Sequence, residues 1–393
     1  MLSTDKIKLF LKEKESELLQ IRHHLHAHPE LSFQEQKTSE YIQSLLDSWG
    51  VKYTSGWAGY GIVGQLSGKK DNNKVVALRA DMDALPIVEA SGFEFSSLNH
   101  GVMHACGHDV HMSCLLGAIC VLNHYKEDWD GTIKFIFQPG EEKLPGGASI
   151  LIQEKVLENP FPKVIIGQHV QPNMPVGNVG ICEGQAMASC DEIYITIHGK
   201  GGHAAMPHLS INPIGIGAEL ILKLNDLLLL EKPDNIKSLL SFGKFNTIGG
   251  ATNIIPETIK IEGTFRCMNE EFRLYFQNRM KTISQELAGT HQAIIDFNID
   301  HGYPCLINDS YYTKEFVEIA KNFVGEESVQ ILEPRMTSED FAYYSQLVPA
   351  VFYRLGTGAS SNVHSPQFIV NEESIVIGSG LMASLALHFL ANT

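Results

Sequence analysis

Short apolar runs alternate with amphipathic segments in the first half of this 393-residue chain. Runs of about four to eight apolar residues are typical of buried strands, and apolar residues at every third or fourth position are typical of helices. The runs lie at residues 75–78, 132–137, 164–167 and, much later, 350–353. The helical segments lie at residues 37–49, 111–125 and 312–322. This alternation predicts an α/β fold in which helices cover a mixed, mostly parallel sheet.

A second architecture is predicted between residues 187 and 302, where the order of elements becomes βαββαβ. The strands lie at residues 192–198, 239–245, 258–265 and 294–300. The helices lie at 213–229, where Pro213 suits the first helical position, and at 270–287, which Asn269 can cap. We expect a ferredoxin-like α+β domain at 187–302, inserted into a larger, discontinuous domain formed by 1–186 and 303–393.

The composition limits the partners of the chain. There are 45 acidic and 30 basic residues, a formal charge of −15, and no long basic run, so we expect no nucleic-acid partner. The N-terminal region has no basic segment that leads into an apolar run, and no apolar stretch approaches the roughly 18 residues of a membrane span. The seven cysteines are scattered and include no CxxC pair, which favours a reducing compartment. We therefore expect a cytoplasmic protein with no membrane partner.

The segment Cys106-Gly107-His108-Asp109 brings a thiol, an imidazole and a carboxylate together, and His111 follows shortly after it. Thiolates, imidazoles and carboxylates are ligands of divalent transition metals, and side chains two residues apart in a non-helical segment can bind one ion. The same residues could also occur together by chance. The positions of the other ligand types decide between these interpretations.

Three candidate strands end close to acidic or metal-binding residues. These residues are, in chain order, Asp81 and Asp83, then Glu141 and Glu142, then His169. In open α/β sheets, ligands bind outside the carboxyl ends of the parallel strands. The spacing therefore predicts one site that is built from several loops.

Glu141 and Glu142 suit two different roles. Pro139-Gly140 ends the preceding strand, so both carboxylates can reach one cavity. One can bind a metal ion, while the other takes a proton from a metal-activated water and passes it to a leaving nitrogen. An isolated pair of this kind is more often a solvated acidic turn, but the cysteine-histidine segment in the same chain favours the metal site.

The remaining histidines leave alternatives open. His169 ends an apolar strand, and it is either a metal ligand or a buried structural residue. His364 follows the turn at 356–358 and has the setting of a ligand on a loop. The four histidines between residues 23 and 28 are typical of surface or helix-packing positions.

Ordered motifs along nearly the whole chain resemble the amidohydrolase branch of the M20 metallopeptidases, which includes N-acyl-amino-acid, hippurate and auxin-conjugate hydrolases. The motifs lie at residues 22–31, 79–86, 103–109, 138–142, 201–207, 251–256, 263–266, 338–341 and 364–366. The resemblance implies two divalent metal ions, Zn²⁺, Mn²⁺ or Co²⁺, with the ligands Cys106, His108, Glu142, His169 and His364. It implies Glu141 as the general base and Asp83 as an acid that orients a ligand or a water, and it leaves His111 outside the ligand set.

The resemblance also implies an activity. The expected reaction is hydrolysis of the amide bond of a small-molecule N-acyl amino acid, and the inserted domain is expected to act as a lid and to form a homodimer. His203 is expected to polarise the scissile carbonyl across that dimer, while Asn253 and Arg266 hold the substrate. A guanidinium can bind both oxygens of a substrate carboxylate, although Arg266 could instead be a surface charge at a strand end.

Two departures from the family pattern concern substrate preference. Residues 143–145, Lys-Leu-Pro, stand where the family usually has a glycine-rich run, and Thr337 replaces a common glycine. Three alternatives remain: a dipeptidase or carboxypeptidase of the same group, a cysteine hydrolase with Cys106 as nucleophile, and a binding or structural protein without turnover. Sensitivity to EDTA separates the metal enzymes from the cysteine hydrolase.

Overall fold

The computed structural model describes residues 2–358 and 361–392. The chain forms two compact units. The large unit comprises Met1–Gly184, Ile307–Glu333 and Asp340–Thr393, and the small unit comprises Gln185–Leu306 and Pro334–Glu339. The sequence pattern does not predict that the short segment Pro334–Glu339 belongs with the inserted block.

The helices and strands are numbered in chain order. The helices are α1 (Thr4–Ala27), α2 (Gln36–Ser48), α3 (His108–His124), α4 (Gly147–Gln153), α5 (Pro213–Glu231), α6 (Glu270–His291), α7 (Ser310–Val324), α8 (Ala342–Ser345) and α9 (Glu373–Asn392). The strands are β1 (Tyr53–Trp57), β2 (Gly61–Ser67), β3 (Val75–Asp81), β4 (Thr132–Gln138), β5 (Val164–Gln171), β6 (Val179–Ile181), β7 (Gly184–Met187), β8 (Asp191–His198), β9 (Gly202–His203), β10 (Ser238–Ile248), β11 (Ile254–Ile255), β12 (Thr258–Cys267), β13 (Ile294–His301), β14 (Leu306–Asn308), β15 (Val329–Ile331) and β16 (Ala350–Gly356).

An eight-stranded mixed sheet forms the centre of the large unit, in the order β1-β2-β4-β3-β5-β16-β6-β15. The central strands β4, β3, β5 and β16 run parallel, and β15 is parallel to β6. The pairs β1–β2, β2–β4 and β6–β16 are antiparallel. Every residue of β3, β4 and β16 is buried, as expected for strands covered on both faces. The predicted α/β class with a mixed, mostly parallel sheet is confirmed.

Helices α1, α3 and α9 pack against each other, and α3 and α9 also contact the large sheet. Two glycines allow α3 and α9 to approach closely. A Cβ at Gly117 would lie 2.3 Å from Ser379 Oγ, and a Cβ at Gly378 would lie 2.6 Å from Cys114 Sγ. The contact between these helices therefore depends on positions that have no side chain.

Helix α9 is the one helix among the described residues that has the length and apolar composition of a membrane span. The expectation that no apolar stretch approaches this length is therefore wrong for α9. Most of the helix is nevertheless covered by protein, because 72% of its apolar window is buried. Its burial is that of a core helix, which packs on α1, α3 and the sheet.

The small unit is built on a four-stranded antiparallel sheet in the order β10-β12-β8-β13. Its elements follow the predicted βαββαβ order, and the strand order is that of a ferredoxin-like fold. Along β8, Ile193, Ile195 and Ile197 are buried and alternate with more exposed residues, so this face packs on α5 and α6. Pro213 is the first residue of α5, and the side chain of Asn269 caps α6, both as predicted.

The carboxyl ends of β3, β4 and β5 lie along one edge of the large sheet. In the parallel register, Asp81 at the end of β3 pairs with Gln138 at the end of β4. On the other side, His169 in β5 pairs with Arg354 in β16. The loops that follow these strands therefore start from neighbouring positions, where their side chains can form one site.

Candidate metal centre and active site

Cys106 and His108 lie at the beginning of α3, which starts at His108 and not at residue 111 as the sequence pattern predicts. Gly107 precedes the helix in the left-handed conformation, with a φ of 84°. A Cβ at Gly107 would lie 2.6 Å from Val170 Cγ2, so only glycine fits between the two candidate ligands. This tight turn holds both candidate ligands next to β5, the strand that carries His169.

The five candidate ligands form two groups that share Cys106. One group contains Cys106, His108 and His169, the other contains Cys106, Glu142 and His364, and the ligand atoms of each group lie within 4.8 Å of one another. Cys106 Sγ is 3.4 Å from His169 Nε2, and Glu142 Oε1 is 3.2 Å from His364 Nε2. The structure therefore brings all five side chains together, and Cys106 is the member that the two groups have in common.

One ring nitrogen of His169 is hydrogen-bonded within the protein, and one ring nitrogen of His108 faces an acidic side chain. His169 Nδ1 donates to the carbonyl oxygen of Val170 at 2.8 Å, which leaves Nε2 for a ligand bond. His108 Nδ1 faces Asp83 Oδ1 at 3.3 Å, and among the described residues neither of its buried ring nitrogens has a hydrogen-bond partner that meets the usual geometry. Because a buried polar atom is costly without a partner, the orphaned Nε2 fits a divalent cation bound at this place.

The loop that carries His364 is attached to the segment of Cys106. The backbone N–H of His364 donates to the carbonyl oxygen of Ala105 at 2.7 Å. His364 has a φ of 63°, which is uncommon for a residue with a side chain. The loop thus holds a strained backbone conformation at the residue whose imidazole lies beside Glu142.

Acidic side chains surround the candidate ligands and change their pKa values. Burial would raise the pKa of Asp81 and Asp83, but neighbours such as His108 lower both. Burial would lower the pKa of His108, but the two aspartates raise it to about 10. Burial, together with the Glu142 carboxylate, raises the pKa of the Cys106 thiol well above its usual value. The negative surroundings therefore favour the protonated forms of His108 and Cys106, and a cation that binds there must displace these protons.

His111 lies in the same cluster, but neither of its ring nitrogens is free. Its Nδ1 donates to Asp81 Oδ1 at 2.6 Å, and its Nε2 accepts the backbone N–H of Val170 at 2.9 Å. Both nitrogens are used within the protein, which agrees with the absence of His111 from the expected ligand set. Its role in the structure is to connect α3 with Asp81 and with β5.

Glu141 belongs to neither of the two ligand groups that share Cys106, but it forms a further candidate group with His108 and Glu142. It is buried, and its Oε2 is 4.0 Å from His108 Nε2. The next residue, Glu142, is oriented through its backbone N–H, which donates to Asp83 Oδ2 at 2.9 Å. Because Asp83 also lies against His108, this one carboxylate orients two of the candidate ligand residues.

Asp109 has a structural role, although it lies in the same segment as the candidate ligands Cys106 and His108. Its Oδ2 accepts hydrogen bonds from Arg22 Nε and from His26 Nδ1, each at 2.9 Å. All three side chains are buried, so they join α1 to the first turn of α3. For His26 the packing alternative is therefore correct. The sequence signal for this network is that Arg22 and His26 both lie in the family motif at residues 22–31.

Two of the candidate substrate residues are neighbours in the small unit. His203 in β9 is exposed, and it pairs with Ile254 of β11. The backbone N–H of Ala204 donates to the carbonyl oxygen of Asn253 at 3.0 Å, which holds His203 and Asn253 side by side. His203 Nδ1 accepts the backbone N–H of Ala205 at 3.1 Å, so its Nε2 remains available.

Arg266 lies in β12 and is half-buried. Its Nη1 donates to the carbonyl oxygen of Met336 at 3.2 Å and to the Ser338 hydroxyl at 3.3 Å. Within the described residues, its Nε and Nη2 make no hydrogen bond. Arg266 is therefore anchored at one side of its guanidinium, unlike a free surface charge, and it retains donors for a ligand.

Comparison with known proteins identifies the family. The family model described as peptidase family M20/M25/M40 matches residues 77–388, which include all the candidate ligands of the metal centre. The chain belongs to this family. It is 39% identical to the N-acyl-L-amino acid amidohydrolase of Geobacillus stearothermophilus over 307 residues, 78% of this chain and 82% of that protein. It is 34% identical to the N-acetylcysteine deacetylase of Bacillus subtilis over 374 residues, 95% of this chain and 97% of that protein.

A solved structure of the M20 family has the same fold. It is described as a dinuclear metal binding peptidase of Bacillus subtilis, and it has a TM-score of 0.84 with 31% sequence identity. The similarity covers 97% of this chain and 99% of that one. The family resemblance that the sequence motifs indicated is therefore confirmed, and it extends over nearly the full length of both chains.

Proposed function

We propose that this M20 family member is a metal-dependent amidohydrolase, which cleaves the amide bond of N-acyl amino acids to a carboxylic acid and a free amino acid. The observation that carries the proposal is the pair of ligand groups that share Cys106, with the Glu141 carboxylate beside them. The names of the two relatives, an amidohydrolase of N-acyl-L-amino acids and a deacetylase of N-acetylcysteine, support this substrate class.

We assign two divalent ions to the site, Zn²⁺ or Mn²⁺, with Co²⁺ as a third candidate. Cys106, His108 and His169 would hold one ion, and Cys106, Glu142 and His364 would hold the other. The thiolate and imidazoles favour zinc, whereas the carboxylate also suits manganese. When bound, such ions polarise the scissile carbonyl and lower the pKa of the attacking water. The dinuclear metal binding of the Bacillus subtilis structure supports the number of ions.

Glu141 is the general base in this proposal. Its carboxylate takes a proton from the attacking water and delivers it to the leaving nitrogen, so that the amino acid departs with a neutral amine. Glu142 is less suited to this task, because it lies 3.2 Å from His364 in a group that contains Cys106. Glu141 belongs to neither group that shares Cys106 and lies in a third group with His108 and Glu142. The burial of Glu141 keeps bulk water away from the proton during the transfer.

The small unit supplies the residues that we assign to the substrate. Because His203 Nδ1 accepts a backbone N–H, a neutral His203 carries its proton on Nε2 and can donate it to the oxyanion. The free donors of Arg266 suit the carboxylate of the amino acid, since a guanidinium binds both oxygens at once. Asn253 lies next to His203 and is assigned to hold the amide group.

The exposed apolar surface of the small unit supports the proposed homodimer. Leu222, Leu229 and Leu230 on α5 are 65%, 75% and 83% exposed. Strand β10 lies at the edge of its sheet, and its residues 244–248 are exposed. An apolar helix beside an open strand edge is suited to pairing with a second copy of the chain. The role of His203 across the dimer is part of this proposal.

A cysteine hydrolase has one observation in its favour, the 3.4 Å between Cys106 Sγ and His169 Nε2. Such an enzyme needs a thiol of lowered pKa. Burial and Glu142 instead raise the pKa of Cys106, while burial and Arg354 lower the pKa of His169. Both changes oppose a thiolate–imidazolium pair. None of the seven cysteines forms a disulfide among the described residues, which suits the cytoplasmic location that we propose.

A peptidase of the same family is the second candidate, because the similar Bacillus subtilis structure is described as a peptidase. The experiment loads the metal-free protein with Zn²⁺, Mn²⁺ or Co²⁺ and compares acetyl and benzoyl amino acids with dipeptides. We expect N-acyl amino acids to be the better substrates, and a preference for dipeptides would establish the peptidase instead. Glu141→Gln should lower kcat by about 10²–10⁴-fold with the metal content unchanged. Retained turnover in this variant would refute Glu141 as the base.

A further inference from the structure

A short segment between α1 and α2, residues 32–35, contacts the candidate active site at three points, and we call it the clasp segment. Ser32 Oγ donates to Asp83 Oδ2 at 2.6 Å. The ring of Phe33 lies against Gly140, and Glu35 Oε1 accepts the backbone N–H of Gly140 at 2.8 Å. Gly140 directly precedes the two glutamates of the site, so the clasp segment holds the turn that carries them.

The contact between Phe33 and Gly140 leaves no space for a side chain. A Cβ at Gly140 would lie 2.4 Å from two carbons of the Phe33 ring. Both residues have positive φ values, 64° at Phe33 and 67° at Gly140. The clasp segment can therefore pack against the turn only if residue 140 is glycine, because any side chain there would overlap the Phe33 ring.

Glu35 provides the polar part of this contact. Its carboxyl group is buried, although it is not needed to cap the helix α2 that follows it. Glu35 is the N-cap residue of α2, but its side chain makes no capping hydrogen bond. Glu30 serves the start of α2 instead, because its carboxylate accepts the backbone N–H groups of Lys37 and Thr38 at 3.2 and 2.9 Å. Glu35 is fully buried, and its Oε2 has no hydrogen-bond partner among the described residues. Burial of a carboxyl group with so few partners is costly, which points to a role at the turn.

We propose that Glu35 is a positioning residue of the active site, which acts through the Gly140 N–H to hold Glu141 and Glu142 in place. The inference rests on the proposed function, since it concerns the base and a metal ligand of that reaction. Glu35 belongs to neither of the ligand groups that share Cys106, so it acts on the chemistry through the turn.

The neutral form of the Glu35 carboxyl is sufficient for this role. Burial, together with the charge of Asp83, raises the pKa of Glu35 to about 8. At pH 7 the group is therefore mostly protonated, and its carbonyl oxygen can still accept the Gly140 N–H. Glutamine has the same length and the same acceptor, so Glu35→Gln should keep the contact.

The test compares Glu35→Ala, Glu35→Asp and Glu35→Gln with Glu30→Ala. Glu30 is a matched control, because it lies in the same connection and is hydrogen-bonded to the start of α2. Each variant is measured in three ways: kcat and KM on an N-acyl amino acid, affinity of the metal-free protein for Zn²⁺ by chelator competition, and melting temperature. The Zn²⁺ affinity does not depend on turnover, so it reports on the position of Glu142 directly.

We expect Glu35→Ala to lower kcat and Zn²⁺ affinity by about 10–100-fold each, with KM nearly unchanged. Glu35→Asp should show the same losses, because its carboxyl is withdrawn from Gly140 by one methylene, and it decides the question if Glu35→Ala does not fold. Glu35→Gln should retain most of both quantities. Glu30→Ala should lower the melting temperature alone.

Two results would overturn the positioning role. One is wild-type kcat and Zn²⁺ affinity in Glu35→Asp, and the other is an equal loss in Glu30→Ala at an equal loss of melting temperature. Absence of N-acyl amino acid hydrolysis in the wild-type protein would refute the proposed function instead. The Zn²⁺ affinities of the Glu35 variants would still test the inference in that case.

Discussion

Replacing Gly107 by alanine should disturb the turn between Cys106 and His108 in two ways that can be measured separately. The φ of 84° at Gly107 is a conformation that a residue with a Cβ adopts at a cost of about 1–2 kcal/mol. The added Cβ would also lie 2.6 Å from Val170 Cγ2, and overpacking of this kind costs about 1–3 kcal/mol. We therefore expect Gly107→Ala to lower the free energy of unfolding of the large unit by about 2–5 kcal/mol.

Two other glycines serve as matched controls for the backbone and steric contributions. Gly92 has a φ of 78° and open space around it, so Gly92→Ala should cost only the backbone part, about 1–2 kcal/mol. Gly289 lies in α6, also in open space and without a positive φ. Gly289→Ala should therefore stabilise its helix by about 0.5–1 kcal/mol. Gly107→Ala should therefore lose the most stability and Gly92→Ala less, whereas Gly289→Ala should gain a small amount.

Urea unfolding followed by fluorescence and circular dichroism measures these differences, and chelator competition measures the Zn²⁺ affinity of each variant. Val170→Ala removes the two γ-carbons, which lie nearest to the new Cβ at 2.6 and 3.1 Å. In the double variant with Gly107→Ala, it should recover about 1–3 kcal/mol relative to the sum of the single variants. Wild-type stability of Gly107→Ala, or a double variant without coupling, would refute the steric reasoning.

Three further predictions concern charge and metal. Arg273→Met should lower the free energy of unfolding of the small unit by about 3–5 kcal/mol in urea, because Arg273 donates to both oxygens of buried Asp191 at 2.8 and 2.6 Å. A loss below about 1 kcal/mol would contradict this. Burial raises the pKa of Glu89, but hydrogen bonds from His26 and Ser91 lower it to about 2 from its ordinary 4.5. Glu89→Gln should therefore be less stable than the wild-type protein above pH 4.5, and this difference in stability should disappear as the pH falls towards 2. A difference in melting temperature that does not change with pH would contradict this prediction. EDTA should abolish hydrolysis and lower the melting temperature, and Zn²⁺ should restore both; activity that survives EDTA would exclude metal dependence.

The buried strands were the elements that the sequence predicted best, but it did not predict where these strands end. The apolar run at 75–78 stops before Arg79, but β3 continues to Asp81. Arg79 donates to Asp81 and also to Asp340 of a distant segment, at 2.7 and 2.8 Å. These polar side chains are buried because they pair with each other, and an apolar pattern cannot show such pairing.

Other elements were not predicted because they lack a local pattern. Helix α1 mixes charged and apolar residues, and α9 is apolar with many small residues, so neither shows a clear amphipathic period. The short strands β6 and β15 have three residues each and are stabilised by their pairing with neighbours in the sheet. Their existence depends on the tertiary fold more than on their own residues.

The sequence by itself determined the α/β class, the inserted βαββαβ block and the residue types of the metal centre. Those properties are local, because apolar periodicity and the chemistry of a side chain can be recognised within a few residues. Only the tertiary structure decided that Cys106 is shared by two ligand groups, that both nitrogens of His111 are used, and that Asp109 binds α1.

The same holds for the clasp segment. Glu35 and Gly140 are 105 positions apart, and only the packed chain shows that their atoms are 2.8 Å from each other. The strand-end motifs identified the residues that carry the chemistry. The residues that hold them in place became visible only when distances between remote segments were known, because a hydrogen bond depends on atomic positions that no local pattern contains.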